Sequence, residues 1–313
     1  MKAVQVDKEC RLVLADVAEP TPARTEALVR VAAISLNRGE VRRASAAAEG
    51  FRPGWDFAGV VEKAAAGGSG PPAGARVVGL MQVGAWAERL AARTDMIAAL
   101  PDGVGFAQAA CLPVAGLTAL HALARRGDLL GRRVLITGAS GGVGHFACQL
   151  AKLQGAHIVA SVRSEGQAAF AREHGADDVV VVGDDPAPIA ASGPFDLVLE
   201  SVGGASLTSS VRNLAPDGVC VVFGATGGGE AKLDIQPFYI AGGATIYGLA
   251  MFHELARREP ASVGLARLAA LLEAKKLKAH IALEKNWEAV DAVARDLLSR
   301  RYLGKAVLHV GPG

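Results

Sequence analysis

The sequence predicts an α/β fold in which a β-rich domain accompanies a doubly wound parallel sheet. Short β-rich runs separated by Gly and Pro clusters fill the first hundred residues. From about Gly131, apolar strands alternate with helix-like segments, a pattern typical of βαβ units around a parallel sheet. The 313 residues exceed what one small core usually organises, so we expect two domains.

Composition and charge exclude several classes of protein. Hydrophobic residues make up 51% and charged residues 20%, as in folded globular chains. The net charge is only +2 and no basic stripe carries interleaved aromatics, which argues against a nucleic-acid partner. The most membrane-like window, Val104–Ala124, contains Gln108, Pro113 and His121 and is better explained as a buried helix. Without a signal-peptide pattern after Met1, we expect a cytoplasmic protein with no membrane partner.

The four cysteines are far apart and show no CxxC spacing. Disulfide scaffolds and structural zinc sites need closer or more numerous thiols, so a reducing compartment is expected. The cysteines are Cys10, Cys111, Cys148 and Cys220.

The β-rich part is predicted from five runs, with a loop at Ala64–Gly74. These runs are Met1–Val6, Arg11–Val17, Leu28–Ile34, Phe57–Glu62 and Arg76–Leu80. The α/β part is predicted to contain the strands Val134–Thr137, His157–Val162, Asp178–Val182, Asp196–Glu200, Val219–Phe223 and Thr245–Leu249. Its predicted helices are Val143–Gln154, Glu165–His174 and Leu207–Leu214, and after Met251 come helices Pro260–Ala274 and Asn286–Ser299 and a last apolar run, Ala306–Val310.

The most specific motif is a glycine-rich turn between an apolar strand and a helix. Against the dinucleotide fingerprint GxGxxG, the turn has Ala139, Gly141 and Gly144, with Gly138 beside the first position. Gly141 would let the backbone approach a pyrophosphate, which the helix N-terminus would bind, and Gly144 would let helix and strand pack closely. The predicted cofactor contacts here are Ala139, Ser140, Gly141, Gly142, Val143 and Gly144. The alternative is a plain glycine turn.

The end of the next strand favours NADPH over NADH. An NAD enzyme usually has an acid there for the ribose 2′-hydroxyl, whereas this chain offers Ser161, Arg163 and Ser164, which could bind a 2′-phosphate. Glu165 begins the following helix and is better explained by helix capping. The alternative for Arg163 is an ordinary solvated surface residue.

With these motifs in place, the chain resembles the medium-chain dehydrogenase/reductase superfamily, and within it the zinc-lacking quinone oxidoreductase branch. The resemblance covers nearly the whole chain, with the motifs in the family's order. The segments that carry it are Ser35–Asn37 with Glu40, Pro53–Val61, Gly74–Val77, Gly84–Glu88, Leu100–Asp102, Gly116–Ala119, Gly138–Gly144 and Gly304–Val307.

The resemblance implies a GroES-like catalytic domain at residues 1–116, completed by 251–313, and a Rossmann NADPH-binding domain at 117–250. It also implies an active-site cleft between the domains and a homodimer. Zinc-dependent relatives bind their metal at positions that correspond here to Asn37, Trp55 and Val114. An amide, an indole and an isopropyl group make no plausible zinc ligand set, so no metal is expected.

The resemblance also implies further cofactor contacts. Asn37 and Thr118 would lie near the nicotinamide ribose or its amide, with Asn37 also orienting the substrate. Phe223, Gly224 and Ala225 would pass along the nicotinamide, and Gly304 and Lys305 would approach the cofactor. The alternatives are a strand-closing turn for Asn37, a helix back-bond for Thr118, and for Glu40 either an orienting contact to Asn37 or Arg42 or a plain place on a helix face.

Some family features are missing. Many relatives carry a Lys after the second strand and a Tyr further on, where this chain has Ser164–Gln167 and Val179–Gly183. The stretch Val41–Gly50 lacks the Tyr proton donor of some enoyl-reducing relatives. Candidates for an apolar acceptor pocket, or else for ordinary core, are Phe51, Trp55, Trp86, Phe238, Met251 and Phe252.

The predicted function is zinc-independent hydride transfer from NADPH to a quinone or an α,β-unsaturated carbonyl. Such acceptors need no strong Lewis acid, because their developing charge is delocalised onto an oxygen that hydrogen bonds can stabilise. Two alternatives stay open. One is a reductase for an enoyl thioester or a biosynthetic intermediate, and the other is a non-catalytic, redox-sensing NADPH-binding protein.

Overall fold

The computed structural model describes residues 1–311, which form two compact units. One unit consists of residues 1–117 and 255–311, and the other of residues 118–254. In chain order the strands are β1 (Lys2–Val6), β2 (Leu12–Asp16), β3 (Glu26–Ser35), β4 (Asp56–Lys63), β5 (Arg76–Leu80), β6 (Arg89–Arg93), β7 (Ile97–Ala99), β8 (Arg133–Thr137), β9 (His157–Val162), β10 (Asp178–Val181), β11 (Phe195–Glu200), β12 (Leu214–Val222), β13 (Thr245–Gly248), β14 (Ile281–Asn286) and β15 (Lys305–His309). The α-helices are α1 (Arg38–Ser45), α2 (Phe106–Ala110), α3 (Pro113–Leu123), α4 (Gly142–Leu153), α5 (Glu165–Glu173), α6 (Gly204–Arg212), α7 (Ile235–Ile240), α8 (Met251–Arg257), α9 (Ala261–Glu273) and α10 (Val290–Leu298).

The first unit is built on a mostly antiparallel sheet with the order β14-β15-β3-β4-β5-β7, to which β6 adds by pairing with β3. The strands β1 and β2 form a separate antiparallel pair. The long strand β3 contacts β4 closely where a register shift interrupts their ladder, and a side chain at Gly59 would meet the Arg30 carbonyl at 2.1 Å. Apolar side chains alternate along the strands, so one face buries a core that includes Ile34, Phe57 and Trp86.

The second unit carries a six-stranded, wholly parallel sheet with the order β10-β9-β8-β11-β12-β13. Within this sheet the chain first forms β8 near the centre and then adds β9 and β10 on one side. It next crosses to the other side of β8, where it forms β11, β12 and β13. This reversal of direction defines a doubly wound sheet, and it places the carboxyl ends of β8 and β11 side by side. The core under the sheet includes Leu135, Val159, Phe195, Val198 and Cys220.

The predicted α/β fold with a parallel sheet and a β-rich partner domain is confirmed. Two predicted helices were wrong in part. Leu214 was predicted to end a helix, but α6 ends at Arg212 and Leu214 begins β12. Asn286 was predicted to begin a helix, but it ends β14, and a 3-10 turn precedes α10. The prediction also missed the strands β6, β7 and β14 and the helices α1, α7 and α8.

The strongly apolar window from Val104 to Ala124 forms α2 and α3, with Pro113 opening α3 and His121 buried. Within residues 1–311, none of the helices has both the length and the hydropathy to cross a bilayer.

Candidate functional site

The glycine-rich turn connects β8 to α4 in the second unit. Gly138 takes a left-handed φ of 60°, and the Gly141 N–H closes the turn on the Gly138 carbonyl at 2.9 Å. Gly141 is the N-cap of α4, so the first N–H groups of the helix lack intrahelical partners and face outward from its positive end. Such an end binds anions such as a pyrophosphate.

The two fingerprint glycines of this turn, Gly141 and Gly144, have different structural roles. A side chain on Gly144 would place its Cβ 2.5 Å from both the Ala139 Cα and the Gly138 carbonyl oxygen, so Gly144 allows α4 to pack against the turn. A Cβ on Gly141 would meet only the Gly138 oxygen, at 3.3 Å, and the rest of its surroundings are open. Two of the predicted contact residues, Ala139 and Gly144, are buried. The other four are partly accessible to solvent: Ser140, Gly141, Gly142 and Val143.

The end of the neighbouring strand β9 holds the residues predicted to bind a 2′-phosphate. Ser161 is buried, and its carbonyl accepts the Ala139 N–H at 3.2 Å, which joins this strand to the glycine-rich turn. Ser164 is the N-cap of α5, whose first turn carries Glu165, in keeping with the expected capping role. The Arg163 guanidinium is exposed and donates to the Asp184 carboxylate at 2.8 Å. Arg163 therefore follows the end of β9 as predicted, but its guanidinium is paired with Asp184, a partner that the sequence did not predict.

Two further strand ends complete this edge of the parallel sheet. After β11, the buried Glu200 carboxylate accepts the N–H groups of Val202 and Gly203 at 2.7 and 2.9 Å, which fixes the loop. After β12 come Phe223, Gly224 and Ala225, and a side chain on Gly224 would lie 2.6 Å from the Ser201 carbonyl oxygen. The three predicted residues therefore pass close to the β11 loop. Thr118 is buried in α3.

A second polar centre lies in the first unit, where four side chains form what we call the Asn37 cluster: Asn37, Glu40, Asp56 and Lys305. Asn37 lies between β3 and α1 as the N-cap of α1, and its amide donates to Glu40 Oε1 at 2.9 Å and to Asp56 Oδ2 at 2.8 Å. Lys305 opens β15 and its ammonium donates to Asn37 Oδ1 at 2.6 Å. The charges thereby fix the orientation of the amide, since only its nitrogen can face carboxylates and only its oxygen can face an ammonium.

The Asn37 cluster limits what its members can do. Both amide hydrogens of Asn37 are engaged, so Asn37 can only accept a further hydrogen bond. The Lys305 ammonium also donates to the Leu36 carbonyl at 3.0 Å and lies 3.5 Å from Asp56, so its three hydrogens are directed within the cluster. Beside it, Gly304 has a φ of 72°, and a side chain there would meet the His280 carbonyl oxygen at 2.7 Å. The buried Glu40 is bonded to Asn37, also accepting its backbone N–H at 2.7 Å, so the orienting role applies rather than a plain place on a helix face.

Burial sets the protonation of these carboxyl groups. Loss of solvation raises the pKa of Glu40 to about 8, and the neighbouring Asp56 charge adds to the effect. Burial also raises the pKa of Asp56, against the opposing attraction of Lys305. One Glu40 oxygen, Oε2, is buried and has no hydrogen-bond partner among residues 1–311, which fits a carboxyl that holds a proton near neutral pH.

The three positions that correspond to zinc ligands in relatives do meet in the first unit. Asn37 and the Val114 N–H both bind the Asp56 carboxylate, the latter at 3.0 Å, and Trp55 precedes Asp56 in the chain. Their side chains do not fit a zinc ion, because none supplies a thiolate, imidazole or carboxylate. Within residues 1–311, no group of three or more His, Cys, Asp or Glu side chains is placed to hold a metal ion. Burial raises the pKa of the nearby Cys111 thiol to about 12, which makes it inert.

Comparison with known proteins agrees with this architecture. The family model described as "Alcohol dehydrogenase GroES-like domain" matches residues 23–121, and the one described as "Zinc-binding dehydrogenase" matches residues 142–267. A chloroplast envelope quinone oxidoreductase homolog from Arabidopsis thaliana is 37% identical over 51% of this chain. The chain belongs to the medium-chain dehydrogenase/reductase superfamily, in its quinone oxidoreductase-like branch.

Two other superfamily comparisons extend over nearly all of the chain. The spectinabilin polyketide synthase system protein NorB from Streptomyces orinoci is 34% identical over 93% of this chain. A mycobacterial protein solved in complex with NADPH is 25% identical, with a TM-score of 0.88 and 99% of both chains covered. The matched regions span only 54% of the Arabidopsis protein and 13% of the Streptomyces protein.

The turn geometry predicts opposite tolerances at its two fingerprint glycines. We expect Gly144→Ala to lower the free energy of unfolding by at least about 2 kcal/mol, because its Cβ clashes with backbone that cannot retreat. Gly141→Ala, at an ordinary φ of −88°, should cost less than about 1 kcal/mol. Urea unfolding followed by circular dichroism measures both, and equal losses for the two variants would contradict the assigned roles.

The Asn37 cluster predicts a stability that falls as pH rises. Because the pKa of Glu40 is raised on folding, the folded state holds more protons than the unfolded state between about pH 4.5 and 8. In that window, stability should drop by up to about 1.4 kcal/mol per pH unit. Glu40→Gln removes the part of this slope that Glu40 contributes, whereas Glu49→Gln, at an exposed position, retains all of it. Urea unfolding between pH 5 and 9 provides the measurement, and an unchanged slope in Glu40→Gln would refute the assignment.

Proposed function

We propose that this chain is a zinc-independent, NADPH-dependent oxidoreductase that transfers a hydride to a quinone or an α,β-unsaturated carbonyl. The observation that carries the proposal is the glycine-rich turn at the reversal of the parallel sheet. There a helix N-terminus and the open space at Gly141 fit a dinucleotide pyrophosphate. The similar mycobacterial protein was solved with NADPH, which supports the choice of cofactor.

The residues of the second unit would bind the cofactor in parts. The N–H groups of Ser140, Gly142 and Val143 would hold the pyrophosphate, and Arg163 the 2′-phosphate. Phe223, Gly224 and Ala225 would line the path of the nicotinamide, along with Thr118. Bound nicotinamide supplies a hydride from its C4 position.

The residues of the first unit restrict the chemistry of the acceptor. The ligand positions of zinc-dependent relatives carry an amide, an indole and an isopropyl group, so the proposed reaction proceeds without a Lewis acid at that place. Conjugated carbonyls and quinones accept hydride under that restriction. Asn37, held as a hydrogen-bond acceptor by Lys305, would orient a hydroxyl or amide N–H of the bound reactants. The proton would come from water, since the stretch Val41–Gly50 holds no tyrosine.

A second candidate substrate is an enoyl thioester. One observation favours it: the similarity to the polyketide synthase protein NorB extends over 93% of this chain, further than that to the Arabidopsis quinone oxidoreductase homolog. The reaction would be the same hydride transfer to a conjugated carbonyl.

We also propose a homodimer that forms through the free edge of the parallel sheet. Within the described residues the edge strand β13 pairs only with β12, and its Ile246 side chain is exposed. Five of the nine large exposed hydrophobic side chains in residues 1–311 lie between residues 233 and 246, namely Leu233, Ile235, Tyr239, Ile240 and Ile246. An open strand edge with apolar neighbours favours association with another strand.

The Arg163–Asp184 pair predicts a measurable cofactor preference. Arg163→Ala should raise the KM for NADPH about tenfold and leave that for NADH within about twofold, because only NADPH carries the 2′-phosphate. Asp184→Asn should lower the KM for NADPH by about two- to fivefold, since an exposed ion pair that competes for Arg163 is worth at most about 1 kcal/mol. Steady-state kinetics with Arg172→Ala, an exposed arginine on α5, is the control. Equal effects on both cofactors would refute the phosphate contact.

The proposed reaction predicts direct deuterium transfer. With NADPH deuterated at C4 and a quinone or a simple enone as acceptor, mass spectrometry should find deuterium at carbon in the reduced enone. Addition of a chelator should leave the rate unchanged. NADPH binding without any turnover would instead favour a redox-sensing protein, and activity lost with the chelator would contradict a zinc-independent reaction.

A further inference from the structure

A cavity of about 540 Å³ in the first unit carries an unusual combination of side chains. Three arginines, Arg43, Arg52 and Arg89, contribute to its lining, and no acidic residue does. The remainder of the lining is mostly apolar and includes Phe51, Met81 and Leu90. The volume matches that of sites for ligands of drug size.

Two of these arginines carry a positive charge that the protein does not neutralise. Arg89 pairs with Glu62 at 2.8 Å, but neither Arg43 nor Arg52 has a carboxylate partner within residues 1–311. The Arg43 guanidinium lies over the Phe51 ring at 5.2 Å. The Nε of Arg52 is buried and has no hydrogen-bond acceptor within residues 1–311. Two cationic side chains without a carboxylate partner, both lining one cavity, favour a bound anion.

We propose that this cavity binds an anionic group attached to an apolar body, such as a carboxylate, sulfonate or phosphate on a ring or acyl chain. Arg43 and Arg52 bind the anion, and Phe51, Met81 and Leu90 pack against the apolar part. In the proposed reaction, on which this extension rests, the preferred acceptor is an anionic conjugated carbonyl rather than a neutral quinone. In this proposal the cavity selects the acceptor by its charge.

Binding alone tests the cavity independently of turnover. Isothermal titration compares naphthalene-2-sulfonate with the neutral 2-naphthylmethanol. We expect the sulfonate to bind more tightly, to weaken with added salt, and to lose at least about tenfold in affinity when Arg43→Gln and Arg52→Gln are combined. Arg42→Gln, on the same helix but outside the lining, is the matched control and should bind as the unchanged protein does. Equal affinity for the two probes, or no loss in the double variant, would overturn the proposal.

Turnover then tests the link to the reaction. With NADPH, the double variant should raise the KM for 1,4-naphthoquinone-2-sulfonate about tenfold while that for neutral 2-methyl-1,4-naphthoquinone stays within about twofold. A further experiment with thioesters compares crotonyl-CoA with crotonyl-N-acetylcysteamine, which lacks phosphates. A larger effect of the double variant on the KM for crotonyl-CoA would show that the cavity binds a phosphate of CoA as well as a carboxylate or sulfonate. Arg52→Lys, which keeps the charge, should restore part of the loss and exclude misfolding. Sulfonate binding without any NADPH oxidation would refute the proposed reductase and retain the anion site. An equal rise in KM for charged and neutral acceptors would refute the cavity as the determinant of substrate charge.

Discussion

The first unit depends on the enclosure of one lysine ammonium by groups from distant parts of the chain. Lys305 contacts Leu36 and Asn37, which follow β3, and Asp56 at the start of β4. Asp56 in turn accepts the N–H of Val114, the second residue of α3. Removal of the ammonium would leave the buried Asp56 carboxylate without a compensating charge, a situation that costs several kcal/mol. The same contacts that hold the strands together also hold the Asn37 amide in one orientation.

The two units use glycine and charge in different ways. In the second unit, the candidate site is made by backbone: N–H groups at the start of α4 and a space that a side chain at Gly141 would fill. In the first unit it is made by side chains, with Glu40, Asp56 and Lys305 buried around Asn37. Arg43 and Arg52 line a cavity in the same unit. Backbone recognition suits a pyrophosphate common to many enzymes, whereas side chains can change to suit a different acceptor.

The sequence was sufficient to predict the parallel sheet and the glycine-rich turn, because both depend on local patterns. Strand β9 has the same limits in the structure as in the prediction, and α4 begins one residue earlier than predicted. The partners of charged side chains could not be predicted in the same way. Asp184 follows β10 and Arg163 follows β9, and only the parallel pairing of those strands brings the two together. Similarly, 249 residues separate Asp56 from Lys305, and no local pattern records that contact. The short strands β6, β7 and β14 were missed because pairing with β3, β5 and β15 defines them more than their own composition does.

The division of the first unit between two stretches of chain has a consequence for biosynthesis. All strands of the second unit come from one continuous stretch, so its sheet can assemble soon after that stretch leaves the ribosome. Strand β3, in contrast, acquires its neighbour β15 only after residues 305–309 have been made. Until then the edge of β3 is open at residues 33–35, and the Asp56 carboxylate has no ammonium to face. The nascent first unit is therefore the part of the molecule that stays open to edge-to-edge association for longer during synthesis.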